Sequence, residues 1–431
     1  MRTFLPLISS ALAFSSLVGC ADGPCAGVEG PVLFAWDDTV DHRLEGTNPL
    51  AYDSIGAAVD AATPGTTVCI SAGTWQEELH IDKPGIALRG AGTDRTVIEP
   101  RHPFSDPRES DATIVEISAP NVTLNGLQLR GGRVGLKLNS ATNTSLRDVE
   151  LRTNTIGLHS KDIAALDARG IALVRNTSVG GLFEHQDQSP FSLELMDLRV
   201  EGNGQRGVSA VGGIRSEHPL VLTRAHFQDN TGVEAGDLLS NGLDALDLSV
   251  GQPFSQDNAP RIRVLGQTII HEALIHLLGG GLDIDCQGQS LGLVNLALSD
   301  ADQGEDSPPL LQLKDCKGEM QHLTLAKLVG DERGTGLRIL GDSDVVLENS
   351  ALIQLEIPLS VSDANLESNN NFKGSLTEAA LLSPIGAHPN LRPQQDSPLI
   401  DAATDRGIQR DLEGWSRPLG GAPDIGAYER R

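Results

Sequence analysis

The chain has 431 residues, of which 39% are hydrophobic and 3% aromatic, and 47 of them are glycine. Acidic residues outnumber basic ones by 58 to 33, so the formal net charge is −25 at pH 7. This acidity excludes a nucleic-acid-binding protein, because neutralising phosphates requires a basic face. The apolar share is still sufficient for a core, so we expect a folded chain rather than a disordered one.

The amino-terminal residues 1–19 combine one charge, Arg2, with an apolar run from Phe4 to Val18. This run is too short to span a hydrocarbon core of ~30 Å and is typical of a signal peptide. The sequence Leu17-Val18-Gly19-Cys20 then resembles the lipobox of bacterial lipoproteins. The resemblance implies cleavage before Cys20 and acylation of its thiol, which would anchor an exported protein at the bacterial envelope, in the outer membrane of a Gram-negative cell. An ordinary secretory peptide is the alternative, and residues 20–50 would form a tether and cap segment.

An exported protein enters an oxidising compartment, which bears on the state of the other cysteines. Beyond Cys20 the chain has four, and an even number in an oxidising compartment indicates two disulfides with three open connectivities. We favour Cys25–Cys69 and Cys286–Cys316, because each pair would join neighbouring segments. Zinc binding is the weaker alternative, since the chain has no Cys-x-x-Cys pair.

The sequence of residues 52–98 indicates the first coils of a fold built from repeated strands. Ser54 to Ala62 has the pattern of a short amphipathic helix, and a Pro64-Gly65 turn leads into a strand at 67–70. Strand-like runs then follow at 73–81 and 83–98. This block resembles the amino-terminal coils of pectin-lyase-like β-helix proteins, the superfamily that includes pectin methylesterases and polysaccharide lyases. We expect the helix to cap the open end of such a solenoid.

The middle of the chain repeats with a period near 25 residues. A Gly-apolar step recurs, with Pro replacing Gly twice, at Gly135, Gly157, Gly181, Gly207, Gly232, Gly281, Pro309, Gly336 and Pro358. A second apolar column keeps the same period at Leu127, Val149, Leu173, Leu198, Ala225, Leu246, Ile269, Leu296 and Leu323. Short alternating runs indicate strands, whereas a leucine-rich repeat would need helices and a propeller blade ~40–45 residues. Residues 51–376 therefore predict an all-β, right-handed parallel β-helix with a short amino-terminal capping helix.

Two further features complete this architecture. Four asparagines precede Gly steps, and we expect left-handed backbone there: Asn154, Asn176, Asn203 and Asn230. Near the carboxyl end, the runs 397–401, 411–418 and 423–429 resemble a terminal block of bacterial surface β-helix proteins grouped as "choice-of-anchor Q". We therefore expect a capping block over 377–431, in which Asp424 and Tyr428 fix the last coil rather than catalyse.

The first column also predicts which side chains point outward on one strand face. The position after each apolar residue is Lys137, His159, Phe183, Ser209 and Glu234 in successive coils. Parallel stacking would space these side chains ~4.8 Å apart, so a saccharide chain could be contacted coil by coil. The alternative is a solvated face that is polar without binding anything.

Acidic residues suggest catalytic and calcium sites. Asp283 and Asp285 would share a strand face and could act as a paired acid and base, with Arg338 nearby. The motifs of polygalacturonases and pectin methylesterases are absent. Asp300, Asp302 and Asp306 resemble the opening of a calcium loop, although the glycine is displaced from its place in an EF-hand and a solvated loop is the favoured interpretation. We expect the fold to require no cofactor, with calcium as the candidate metal at this loop.

These observations predict an exported, lipid-anchored, monomeric β-helix protein of the envelope. Its expected partners are the membrane, through the lipid on Cys20, and an extracellular polysaccharide or another surface polymer. The first alternative is a polysaccharide lyase or glycoside hydrolase acting on acidic polysaccharide. The second is a purely structural surface protein, which would have neither ligand nor turnover.

Overall fold

The computed structural model describes residues 25, 27–36, 51–102, 106–163, 165–184, 192–205, 208–251, 260–277, 279–301, 308–328, 332, 334–385 and 389–431. Short strands dominate this part of the chain, and two short helices accompany them. None of the helices in these ranges is both long and apolar enough to cross a bilayer.

The secondary-structure elements follow one another at short intervals. The amino-terminal coils contain β1 (Val32–Ala35), β2 (Ala51–Tyr52), α1 (Ile55–Ala61), β3 (Thr67–Ile70), β4 (Gly73–Gln76), β5 (Leu79–Ile81), β6 (Ala87–Arg89) and β7 (Thr96–Glu99). The next coils contain β8 (Thr113–Ile117), β9 (Thr123–Arg130), β10 (Val134–Asn139), β11 (Thr144–Arg152), β12 (Ile156–Lys161), β13 (Ala165–Val174), β14 (Val179–Glu184), β15 (Ser192–Glu201) and β16 (Ile214–Ser216).

The second half continues the same pattern. Its first coils contain β17 (Leu220–Gln228), β18 (Leu238–Ser240), β19 (Leu243–Val250), β20 (Ile262–Leu265), β21 (Thr268–Leu277), β22 (Leu282–Asp285) and β23 (Ser290–Asp300). The last coils contain β24 (Leu311–Lys314), β25 (Lys317–Gln321), β26 (Thr324–Lys327), β27 (Thr335–Leu340), β28 (Asp344–Glu348), β29 (Ala351–Ile353), β30 (Ile357–Ser362), β31 (Asn365–Asn369) and β32 (Phe372–Gly374). The carboxyl-terminal block adds α2 (Leu376–Ala379), β33 (Leu381–Ser383) and β34 (Asn390–Pro393).

These strands stack in register as a right-handed parallel β-helix of about 12 turns, which confirms the predicted fold class. Sheet B consists of β5, β8, β10, β12, β14, β16, β18, β20, β22, β24, β27 and β30, each parallel to the next. Sheet A collects the other coil strands, and β33 and β34 form a separate antiparallel pair. Alternate residues of each strand point inward, so one continuous apolar core fills the interior of the coils.

The long strands of sheet A bend at a left-handed residue in their middle. Positive φ occurs in successive coils at Gly126, Asp148, Gly170, Asp197, Arg224, Asp247, Glu272 and Asn295. Gly, Asp and Asn tolerate this conformation, so most of these residue types suit the position. The bend reverses the alternation beyond it and shifts the predicted second column. Leu246 is therefore 45% exposed, whereas Leu248 is buried in register with Ala225.

The four asparagines have a different role from the one predicted. Their own backbone is not left-handed; positive φ occurs one residue earlier, at Thr153, Arg175, Gly202 and Asp229. The side chains are fully buried and form a ladder from coil to coil through Asn154, Asn176, Asn203 and Asn230. The amide oxygens of the last three each accept the backbone N–H of the preceding ladder residue, whereas that of Asn154 accepts the N–H of Gly132. Each amide nitrogen donates to a strand carbonyl. The ladder thus satisfies polar backbone groups where the chain turns from sheet A to sheet B.

A buried ion pair ends this ladder. The amide of Asn230 donates to Asp237 over 2.8 Å, and Arg261 donates to the same carboxylate over 2.8 Å. Neither side chain is more than 4% exposed, and burial raises the pKa of Asp237. Gly157 and Gly180 pack directly against the ladder. A larger residue would not fit at Gly157, because its Cβ would lie 2.8 Å from the amide nitrogen of Asn176.

The helix predicted near the amino-terminal end is present as α1. In α1 the hydroxyl of Ser54 caps the helix by accepting the N–H of Ala57, and the carboxylate of Glu77 accepts two more N–H groups over 2.8 Å each. A disulfide joins Cys25 to Cys69 of β3. A second joins Cys286 to Cys316 in adjacent coils, with a Cα–Cα distance of 4.8 Å. Both favoured disulfide pairings are therefore present.

The carboxyl-terminal block packs against the outer side of sheet A. Its apolar residues, including Leu399, Ile425 and Tyr428, cover outward-facing Ala297 and Ile353 of the coils. Backbone groups also connect to the coils: Thr324 Oγ1 accepts the N–H of Ala427 over 2.9 Å, and Asn295 donates to the carbonyl of Arg410 over 2.7 Å. The block therefore contacts successive coils along the flank of the solenoid.

Buried polar groups hold this block in place. Arg417 and Glu429 form an ion pair at 3.4 Å with both side chains at most 1% exposed. Arg417 also donates to the carbonyl oxygen of Asp424 over 3.0 Å and to Nδ1 of His322. Burial and the adjacent Arg417 lower the pKa of His322 to about 3, so its ring stays neutral and can accept this hydrogen bond.

Candidate functional site

The outer face of sheet B carries an in-register column of side chains. One residue per coil belongs to it, and in every coil but the last it is flanked on its strand by buried neighbours. From the amino-terminal end this sheet B column is His80, Glu116, Lys137, His159, Leu182, Arg215, Leu239, Arg263, Asp283, Gln312, Arg338 and Ser360. Successive members are separated by one strand spacing of ~4.8 Å, so a linear polymer could contact one after another.

Lys137 and His159 lie in this column, as the sequence predicts, but Phe183 does not. Phe183 is 1% exposed and points into the core. The reason is the glycine pair in β14: Gly181 lies opposite Leu158, so it is one residue out of phase with the other Gly steps. The outward residue of this coil is Leu182.

The predictions for Ser209 and Glu234 are also wrong. Both residues lie in connections that precede β16 and β18, because these two coils contain extra residues at the corner. Ser209 is 6% exposed, and its hydroxyl accepts the N–H of Gln205 over 2.8 Å. Glu234 is exposed but belongs to no strand. The outward residues of these coils are Arg215 and Leu239 instead.

The connections between the two sheets differ in length. Long ones lead from sheet A into sheet B at 100–112, 202–213, 229–237, 251–261 and 301–310. Most connections that leave sheet B are shorter, as at 140–143 and 315–316.

Several charges on this face are already paired. The ammonium of Lys137 lies 2.9 Å from the carboxylate of Glu116. The ring of His159 lies 2.8 Å from the carboxylate of Glu184, which is in the next coil, two residues beyond Leu182. By contrast, no carboxylate within the described ranges lies within 4.0 Å of Lys161, Arg215 or Arg338. Lys161 follows His159 on the same outward face of β12. These three cations are the available charges of the face.

Sequence reasoning missed Lys161 and Arg215, although a signal for each exists. Lys161 is two residues beyond His159, and period-two alternation alone places it on the same face. Arg215 follows Gly213-Ile214, which is the Gly-apolar step actually used by that coil. The step chosen from the sequence begins at Gly207, which lies outside the described residues.

The acidic pair on β22 is engaged by cations and an amide. Asp283 lies 3.4 Å from Arg263 and accepts a 3.1 Å hydrogen bond from Gln312. Asp285 accepts a 2.7 Å hydrogen bond from Lys314, which raises the pKa of that ammonium group. Arg338 lies two coils beyond Asp283 in the same column, about 9.6 Å away at ~4.8 Å per coil. The three candidates thus share one face, and their catalytic role stays a prediction.

The suggested calcium loop is only partly described. Asp300 is fully buried, accepts the N–H of Gly279 over 3.0 Å and pairs with Lys327 at 2.5 Å. Its carboxylate is therefore directed into the protein rather than toward a solvent-facing loop. Asp302 and Asp306 lie outside the described residues, as does the lipidation candidate Cys20. Elsewhere in the described ranges, no group of three or more His, Cys, Asp or Glu side chains could hold a metal ion.

The comparisons with known proteins find similarity of fold. Neither a family model nor a curated protein sequence matches the chain. Pectate lyase Pel9A is similar at 14% identity and a TM-score of 0.46, covering 95% of this chain and 99% of that chain. The A-module of mannuronan C-5 epimerase AlgE6 from Azotobacter vinelandii is similar at 16% identity and 0.46, over 74% and 94%. An alginate lyase from Paenibacillus is similar at 13% identity and 0.37, over 74% and 96%.

Proposed function

We propose that the protein binds an acidic polysaccharide along the outer face of sheet B. The observation that carries the proposal is the set of three cations without an acidic partner, Lys161, Arg215 and Arg338, on an in-register face of an otherwise acidic protein. A polymer that carries one carboxylate per few sugar units could reach such charges in turn, because the strand spacing is regular.

Apolar side chains alternate with the cations. Leu182 and Leu239 occupy the coils on either side of Arg215 in the sheet B column, and both are partly exposed. Aliphatic surface of this kind suits the C–H faces of sugar rings, while the guanidinium groups suit carboxylates. The alternation therefore favours a polymer that is both ring-based and anionic over a simple polyanion.

The proposal includes display at the bacterial envelope through a lipid on Cys20. This location rests on the lipobox-like sequence at residues 17–20. Metabolic labelling with a radioactive fatty acid tests it: the wild-type protein should carry the label, and Cys20→Ala should not. An unlabelled wild-type protein would contradict the anchor without affecting the polymer site.

The polymer site is tested by equilibrium binding of uronic-acid oligosaccharides to the mature protein. A triple variant, Lys161→Ala, Arg215→Ala and Arg338→Ala, should weaken binding about 1,000-fold if each charge-assisted contact contributes ~1.4 kcal/mol. A control that removes exposed cations elsewhere, Arg95→Ala with Lys373→Ala, should leave the affinity unchanged. Equal affinities of the two variants would contradict the proposal.

The alternative is a polysaccharide lyase or glycoside hydrolase. Asp283, Asp285 and Arg338 lie on the same face as the proposed polymer, which is the observation in its favour. This alternative expects unsaturated products or new reducing ends from uronic-acid polymers, with or without calcium, and their loss in Asp283→Asn. Binding without product release favours the non-catalytic function, and neither binding nor turnover favours the purely structural alternative.

A further inference from the structure

A separate cleft lies between sheet A and the carboxyl-terminal block. It has a volume of about 440 Å³, within the range of ~300–1,000 Å³ typical of small-molecule sites. The coils contribute Gly292 and Val294 of β23 with Lys317, Glu319 and Gln321 of β25, and the block contributes Arg406 and Ile408. This cleft is on sheet A, so it is independent of the proposed polymer site.

The hollow exists because one side chain is missing from a regular column. In register with Gly292 lie Ile269 in the preceding coil and Glu319 in the following coil. A Cβ added at Gly292 would meet no atom within 4 Å, so the missing side chain leaves open space. In contrast, a Cβ at the neighbouring Gly318 would lie 1.9 Å from the carbonyl oxygen of Leu291. The floor is therefore open at Gly292 and tightly packed at Gly318.

Hydrogen bonds fix the opposite wall. Arg406 donates to Glu348 over 2.6 Å. Next to it, Thr404 and Asn349 exchange two hydrogen bonds, of 2.8 and 2.9 Å, between main chain and side chain. The wall that carries Ile408 is thus held against the coils at several points, which is the pre-organisation that a binding site needs.

The lining chemistry matches an acidic sugar residue. Val294 and Ile408 offer aliphatic surface, while Glu319 and Gln321, joined by a 3.0 Å hydrogen bond, offer partners for hydroxyl groups. The side chain of Lys317 is 56% exposed and its ammonium lies 4.0 Å from the exposed Asp342, so this ammonium is accessible to a ligand carboxylate. We propose that this cleft binds a hexuronic acid residue, with its ring against Val294 and Ile408 and its carboxylate on Lys317.

The test measures binding of galacturonic and glucuronic acid, and of the neutral sugars galactose and glucose, by ligand-observed NMR and calorimetry. Gly292→Leu begins from a Cβ that meets no atom within 4 Å, directs a large side chain into the hollow and should weaken uronate binding at least tenfold. Lys317→Met should remove the preference for the acids over the neutral sugars. Val346→Leu, which enlarges the same column two coils away from Gly292, is the matched control and should bind as the wild type does.

The outcomes separate this cleft from sheet B. Uronate binding that survives the triple variant of Lys161, Arg215 and Arg338 but not Gly292→Leu supports the cleft. Binding that survives both Gly292→Leu and Lys317→Met, or a wild-type protein that binds none of the four sugars, overturns it. Lys317→Met alters an exposed side chain, so it remains a valid test even if Gly292→Leu does not fold.

Discussion

Replacing Asn176 by alanine should destabilise the solenoid severely, because this side chain serves two neighbouring coils. Its amide oxygen accepts the backbone N–H of Asn154 over 3.0 Å, and its amide nitrogen donates to the carbonyl of Leu151 over 3.0 Å. The side chain is completely buried, so water cannot replace these bonds. Two orphaned buried groups at ~1–3 kcal/mol each, plus a small cavity, predict a loss of about 3–6 kcal/mol.

The assay is urea-induced unfolding followed by far-ultraviolet circular dichroism, with the free energy of unfolding extrapolated to water. Asn365→Ala is the matched control, since Asn365 is exposed on β31 and should change the free energy by less than about 0.5 kcal/mol. A loss below about 1 kcal/mol for Asn176→Ala would refute the argument that the buried ladder satisfies the corner.

Three further predictions follow from local geometry. Gly157→Ala should destabilise the protein by more than about 2 kcal/mol, since its Cβ would lie 2.5 Å from a backbone oxygen, whereas Gly292→Ala should be nearly neutral in thermal unfolding. Replacing Cys286 and Cys316 by alanine opens a link over a sequence separation of 30 and should cost about 3–4 kcal/mol by chain entropy, measured by denaturant titration. His322 has a pKa of about 3 in the folded state against 6.5 when unfolded, so stability should fall by ~1.4 kcal/mol per unit as pH drops between these values. His322→Asn should remove that part of the pH dependence.

Each of these expectations has a contrary result. Equal stabilities of Gly157→Ala and Gly292→Ala would mean that the asparagine ladder leaves room for a side chain at Gly157. A double alanine variant of Cys286 and Cys316 as stable as the wild type would show that this disulfide does not stabilise the fold. The same pH profile for wild type and His322→Asn would show that His322 does not contribute this dependence. Burial raises the pKa of Asp424 and Glu429, whose effect on stability has the opposite sign but is common to both proteins.

The repeat itself could be predicted from the sequence because the inward residues of a solenoid must recur once per coil. That regularity predicted the coil period and the parallel β-helix, whereas the two disulfide pairings followed from joining neighbouring segments of an exported chain. It failed where a coil changes length at a corner, since extra residues before β16 and β18 shift the visible glycine away from the strand. In β14 the presence of two consecutive glycines shifted the predicted position by one residue. Phe183 was therefore predicted to point outward, whereas it is buried.

Contacts between distant segments could not be predicted in this way. Arg417 meets His322 across 95 positions of sequence, and no local pattern encodes that meeting. The sugar-sized cleft depends on the same kind of contact, because one of its walls comes from the carboxyl-terminal block. Local alternation fixes which side of a strand a residue occupies, but the packing of the block decides which outward residues remain accessible.

The most direct test of the polymer site is lysine labelling in the presence of uronic-acid oligosaccharides of increasing length. Lys137 and Lys161 lie on the outer face of sheet B, whereas Lys373 is exposed on sheet A. Acetylation of the first two lysines should slow as the oligosaccharide lengthens, and acetylation of Lys373 should not change. Equal labelling of all three lysines at saturating oligosaccharide, or protection of Lys373 alone, would contradict binding along sheet B.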